Sequence, residues 1–239
     1  MYGMGYYGYG FDWTYLLVLA GAVFSMIASA KVNTTFQKYA KVRSMSGMTG
    51  AQVARRILDS NGLYDIPVEH VSGNLSDHYD PSSRVLRLSD STYSSPSVAA
   101  IGVAAHECGH AIQHKEGYGP LKLRSTIVPA ANLGSKLGIP IILLGLFFGG
   151  GGSVLVNIGI WVFSLAVLFQ IVTLPVEFNA SNRAMVMLDN YGILGQQESR
   201  HAKKVLSAAA MTYVAAAASS ILQLLRLVIL FGGRSNDRD

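Results

Sequence analysis

Between Val103 and His114 the chain reads VAAHECGHAIQH, with His106 and His110 four residues apart and Glu107 beside the first of them. On a helix, at about 100° per residue, positions 106 and 110 lie about 40° apart and one turn along, so both imidazoles can point at one ion. Glu107 then sits where a carboxylate can reach a water held by that ion. Two ligands from one turn with a general base alongside is the arrangement of metal-assisted hydrolysis. A third ligand is still required. His114 does not supply it, because its Cα is about 12 Å from that of His106 along the axis, close to the combined reach of two imidazole ligands. It reads as a structural or supporting residue. Cys108, about 200° round from His106, faces away from the pair and reads as packed. Gln113 and Glu116 stand where a metzincin would carry glycine and histidine.

The third ligand should be a carboxylate on another helix on the same side of the chain's spans. Glu177, within Leu174-Pro175-Val176-Glu177-Phe178-Asn179-Ala180-Ser181-Asn182-Arg183-Ala184, is the only acidic residue between Glu116 and Asp189. Whether it can meet the histidines depends on the elements between them.

Half of the residues are hydrophobic and 14% are charged, and the mean hydropathy is +0.33, so a mainly α, polytopic membrane protein is expected. Trp13 to Ala30 carries no charge and is long enough to cross a hydrocarbon core of about 30 Å. Its end, Ala28-Ser29-Ala30, resembles a signal-peptidase site, but MYGMGYYGYGFD before it has no basic residue, which favours an uncleaved anchor. Further spans are expected over 127–148, with Lys136 inside, and over 154–174, the two arms of a hairpin turning at Gly149-Gly150-Gly151-Gly152-Ser153. A last apolar stretch over 207–231 holds Gln223 and Arg226 and either spans or lies partly against the other helices. A span in one direction followed by one in the other cancels, so the hairpin returns Glu177 to the face that holds the two histidines. One domain of about four transmembrane helices results, with polar segments over 31–126 and 175–206.

Lys31, Lys38, Lys41 and Arg43 follow the first span closely, and Arg183, Arg200, Lys203 and Lys204 follow the third. The positive-inside rule therefore puts both polar segments in the cytoplasm. Tyr2, Tyr6, Tyr7 and Tyr9, with Phe11 and Trp13, read as an interfacial aromatic belt, and residues 1–8 read equally as a Gly/Tyr tail. The net charge of +5 is spread along the chain with no basic-aromatic run, which argues against a nucleic-acid partner. A single cysteine leaves no internal disulfide to build the fold on.

Inside the first polar segment, Thr49 to Leu58 begins with a good cap and has helical apolar spacing, ending at Asn61-Gly62. Ile66 to Val71 and Arg84 to Ser89 are extended candidates, the second preceded by the turn Asp80-Pro81-Ser82-Ser83 and expected to form an edge on which an extended substrate pairs. Ser95-Pro96 is expected to open the motif helix, as cap and first-turn proline, and Gly117 to close it. His70 and His78 read as surface or turn residues.

HECGHAIQH, the hairpin and LPVEFNASNRA together resemble the YugP-type family of bacterial membrane zinc metallopeptidases. The likeness runs from the first span to the last. More distantly, the two motifs alone resemble the HtpX and CAAX-prenyl proteases, whose downstream motif is E-x-x-A-D. The resemblance implies a zincin-like core with a small sheet, Zn²⁺ ligated by His106, His110 and Glu177, and Glu107 as catalytic base. Ser181 stands where the distant relatives have aspartate, and Asn182 and Asn179 are alternatives as supporting partners. Downstream, Tyr213 and His201 are the two candidates for stabilising the oxyanion, with Tyr213 preferred. The implied substrate is a protein or peptide at or near the bacterial plasma membrane.

A ligand set of two imidazoles and one carboxylate leaves zinc an open position for water, whose pKa the ion lowers to about 7. The competing classes are a non-catalytic metal-binding scaffold, which has no need of Glu107, and a transporter, which would need more polar residues inside its spans than Thr14, Asn157, Gln170 and small hydroxyls.

Overall fold

A computed structural model describes residues 12–150 and 153–232. Among them are six helices and three short strands: α1 (Tyr15–Ala40), α2 (Gly50–Ser60), β1 (Val68–Val71), β2 (His78–Asp80), β3 (Val85–Ser89), α3 (Val98–Glu116), α4 (Gly119–Gly149), α5 (Val154–Asn190) and α6 (Gln196–Phe231). The helices α1, α4, α5 and α6 are each long and apolar enough to cross a membrane. Tyr2, Tyr6, Tyr7, Tyr9 and Phe11, the expected aromatic belt, lie outside the described residues, as do Gly151 and Gly152 of the hairpin turn.

The long helices overrun the apolar stretches that announce them. α1 passes through Ala28-Ser29-Ala30 to Ala40 without a break and packs on α6. α4 starts at Gly119 and absorbs Pro129 and Pro140. Interior proline costs a helix one backbone bond, a loss that neighbouring helices make tolerable in a membrane. Against it lies α5, so close that a Cβ on Gly138 would stand 2.8 Å from that of Phe163. Small residues at such a crossing let backbones approach where no hydrophobic effect drives the association. α5 continues through Pro175 to Asn190, so the polar segment that carries Glu177 is the end of the same helix.

The remaining elements form a polar cap with its own core. Thr49 and Gln52 close a reciprocal capping box at the start of α2 (Thr49 N to Gln52 Oε1 2.9 Å, Gln52 N to Thr49 Oγ1 3.3 Å), and Gly62 turns with φ 67°. Val53, Ile57 and Leu58 of α2, Leu86 and Leu88 of β3, Ile101 of α3 and Leu188 of α5 are buried in one cluster. α3 begins two residues later than its sequence signal. Ser97, not Ser95, caps it through Ala100 N, because Ser97 pairs with Arg43 in an antiparallel bridge that keeps the chain extended there, Pro96 O accepting from Ser44 N at 2.9 Å.

The sheet corrects a second expectation. Its order is β1-β3-β2, with β1 parallel and β2 antiparallel to β3. β3 is therefore central rather than an edge, and cannot pair with a substrate. The open edge near α3 belongs to β2, a three-residue strand with no apolar alternation to reveal it. β2 and β3 join through the expected turn, where Asp80 accepts from Ser82 N, Ser83 N and Ser83 Oγ. Those bonds, that of the Ser83 hydroxyl foremost, pull the Asp80 carboxyl down to about 2.

Candidate metal centre

α3 is the element that presents the motif. It is buried along most of its length, packed between α2, α5 and α6. Cys108 is fully buried on the α2 side, its thiol against Ala54 O, and burial pushes that thiol well above its ordinary range. On the opposite side His106 and His110 turn their rings toward α5, with centroids 4.7 Å apart at 86°.

Glu177 of α5 meets them. Its Oε2 lies 3.3 Å from His106 Nε2 and 3.5 Å from His110 Nε2. These are about the edge lengths of a tetrahedron whose ligands stand about 2.0–2.1 Å from a central zinc. Glu177 is 2% exposed, yet this oxygen has no hydrogen-bond partner. Its other oxygen receives Arg124 Nη1 from α4 at 3.3 Å.

The protons on His110 explain why a cation belongs there. Gln113 Nε2 donates to Val176 O at 2.9 Å and to Asn179 Oδ1 at 2.9 Å. A carbonyl can only accept, so the amide orientation follows and Gln113 Oε1 faces His110 Nδ1 at 3.0 Å. His110 Nδ1 must be the donor, and in the neutral ring Nε2 then turns a lone pair toward the Glu177 carboxylate. Two acceptors facing each other need a proton or a metal ion between them. Burial would lower His110, but Glu177, Glu107 and Gln113 outweigh it and push its pKa up. The donor set of two imidazoles and one carboxylate fits zinc.

Partners behind the ligands hold these rings in place. His106 Nδ1 is 3.1 Å from Ser181 Oγ, so the serine itself occupies the place left open between it, Asn179 and Asn182. Asn182 is exposed. Asn179 acts one step back, its Oδ1 taking Arg183 Nε at 2.7 Å as well as Gln113, while Arg183 pairs with Glu116 at 2.7 Å. Gln113 and Arg124 escaped the sequence reading, whereas Asn179 was among its candidates. Gln113 had a signal, being a polar residue three positions after His110 on the same face; Arg124 had none.

Glu107 is buried to 8% exposure, and its Oε2 accepts from Tyr79 N of β2 at 3.0 Å. Two cavities flank it. One of about 250 Å³ is lined by His78, Tyr79 and Arg124, the other of about 220 Å³ by Val103, His106 and Ser181, and both are lined by Asp77, Glu107, Glu177 and Tyr213. Tyr213 thus stands in the cleft. His201 does not: it stacks on Tyr39 of α1 with centroids 4.7 Å apart and lines neither cavity. It lies about three turns before Tyr213 on α6, too far along the axis to reach the same centre. His114 bonds Tyr79 Oη through Nδ1 at 2.8 Å, which steadies β2 over the motif helix.

α3 and α5 come this close only because residue 109 is glycine. A Cβ there would stand 2.7 Å from Ala180 O and 3.1 Å from Ala180 Cα, backbone atoms that cannot swing aside. Gly109→Ala is therefore expected to cost about 1–3 kcal/mol through overpacking and to pull Glu177 from the histidines. Thermal unfolding in detergent and zinc content read both effects, and an unchanged protein on both measures would contradict the packing argument.

Residues 14–232 match the family model described as "Putative neutral zinc metallopeptidase". The chain is 52% identical over 215 residues to the "Putative membrane protease YugP" of Bacillus subtilis (strain 168), covering 90% of this chain and 95% of that one. No solved structure matches it.

Proposed function

Since the chain belongs to this family of neutral zinc metallopeptidases, we propose that it is a membrane-embedded endopeptidase with zinc on His106, His110 and Glu177 and with Glu107 as general base. The observation that carries the reading is the buried Glu177 oxygen facing two imidazole nitrogens with no proton donor assigned to it, beside a second carboxylate in a cleft. Bound there, zinc supplies Lewis-acid activation of water and of the scissile carbonyl.

The chain's own residues do the rest. Glu107 Oε2 is held by Tyr79 N, which leaves Oε1 to take the proton of the attacking water and pass it to the leaving amine. Tyr213 lends its hydroxyl to the carbonyl oxygen as negative charge develops. Arg124 balances the ligating carboxylate and keeps it aimed. His78 and Tyr79 of β2 line the cleft, and because Tyr79 N is taken by Glu107, the open edge of β2 meets an extended substrate through the Tyr79 carbonyl.

The cleft opens on the side that carries the basic flanks, and we assign it to the cytoplasm. Cysteine at Ser72 should then be protected from a membrane-impermeant thiol reagent in intact cells, while cysteine at Gly151 is labelled. The native Cys108 contributes no background, being buried and held as the thiol. The reverse labelling pattern would overturn the cytoplasmic assignment and leave the metal centre untouched.

A further inference from the structure

A separate groove lies away from the metal centre. It measures about 630 Å³ and lies between α1 and α6, walled by Lys31, Lys38, Arg200, Lys203 and Lys204. All five are exposed, and no acidic residue lines the groove. Among the described residues, none of the five has an acidic partner within salt-bridge distance. Orientation in a membrane needs basic residues near the ends of spans; it does not need those of two distant segments to converge on one groove. Gathering five like charges around one concavity raises the energy of the unliganded site and favours an anion within it.

Its level in the molecule selects the anion. Lys31 stands at the exit of the apolar stretch 13–30 and Lys203 and Lys204 just before the stretch 207–231, so the charges ring the boundary between hydrocarbon and water. Deeper along α6 the groove is floored by Ala208 and Met211, apolar surface where an acyl chain would run. From this cation ring over an apolar floor we infer that the α1–α6 groove is a binding site for an anionic phospholipid, its headgroup phosphate among the lysines and a chain on Ala208 and Met211. Ala209, Ala210, Thr212 and Tyr213, on the other side of the same turns of α6, line the cavities at the metal cluster. A lipid seated there therefore braces the helix that forms a wall of the cleft.

The test uses the full-length protein in nanodiscs and by native mass spectrometry, with phosphatidylglycerol as probe, phosphatidylcholine as the neutral control and inorganic phosphate as competitor. Wild type should retain phosphatidylglycerol adducts in preference to phosphatidylcholine, and millimolar phosphate should not displace them. Lys31→Gln/Lys203→Gln/Lys204→Gln should weaken retention at least about tenfold, each cation near the surface being worth about 1 kcal/mol to an anionic lipid. Lys41→Gln/Arg43→Gln/Lys122→Gln removes the same charge from outside the groove and should leave retention unchanged. Monodispersity and thermal unfolding show that both variants are folded; a single substitution, Lys203→Gln, with a smaller loss serves if the triple does not fold. Equal losses in the two triples would reduce the effect to diffuse charge and overturn the site. Displacement by phosphate would make it a soluble-anion site, and absence of lipid preference in wild type would remove it.

Discussion

Replacing Glu107 by glutamine is expected to lower peptide-bond hydrolysis at least about 100-fold, the usual contribution of a positioned general base, while zinc, fold and membrane insertion are kept. The geometry makes this substitution clean. Glu107 touches the ligands' neighbourhood without being one of them, and its contact with the fold is the bond that Tyr79 N donates at 3.0 Å. A glutamine carbonyl oxygen accepts that same bond, so what disappears is the ability to take a proton. Activity on an unfolded substrate such as casein measures the loss in vitro, with a chelator abolishing wild-type cleavage and added zinc restoring it. Comparing protein fragments in cells that carry wild type or Glu107→Gln covers an enzyme restricted to a membrane substrate. Zinc-loaded protein that cleaves nothing, together with identical fragment patterns, would make the metal structural and end the catalytic reading.

The second large effect is on the metal. Purified protein should carry about one zinc per chain, and His106→Ala, His110→Ala and Glu177→Ala should each reduce it to background, because two protein ligands hold zinc far less tightly than three. Glu177→Ala is the most informative of these. It removes the carboxylate that both imidazoles face and leaves Arg124 without its partner. Full zinc occupancy in that variant would exclude Glu177 as a ligand. Acid should reproduce the loss. Histidine ligates only as the neutral ring, and the carboxylates around His110 push its metal-free pKa up, so protons compete with zinc at a higher pH than at an ordinary histidine. Zinc content after dialysis should therefore fall with decreasing pH. Retention unchanged down to pH 5 would contradict this competition.

Much of this centre was legible in the chain because its parts obey short-range rules. The helical period puts His106 and His110 on one face, and the four helices able to span a membrane follow from apolar length. Glu177 was reachable by counting: one span each way returns the chain to the side it left, and no other carboxylate lies between Glu116 and Asp189. The packing of Cys108 away from the pair also follows from angle alone. Each of these inferences needs only the geometry of one helix or the parity of crossings.

What escaped depends on distances across elements, which no local period encodes. β2 has three residues and owes its existence to pairing with β3, so the sheet's open edge fell to the wrong strand on paper. Ser181 and Gln113 support the histidines because α3 and α5 approach until a Cβ at Gly109 would touch the Ala180 backbone; a farther crossing would have left Asn179 or Asn182 as good a choice. Arg124 reaches Glu177 from a third helix. His201 and Tyr213 share α6 and a plausible chemistry, and it is the packing of α1 that draws His201 onto Tyr39 while Tyr213 lines the cleft. Periodicity assigns a side chain to a face; which neighbour that face meets, and how closely, is set by the packing of whole helices against one another.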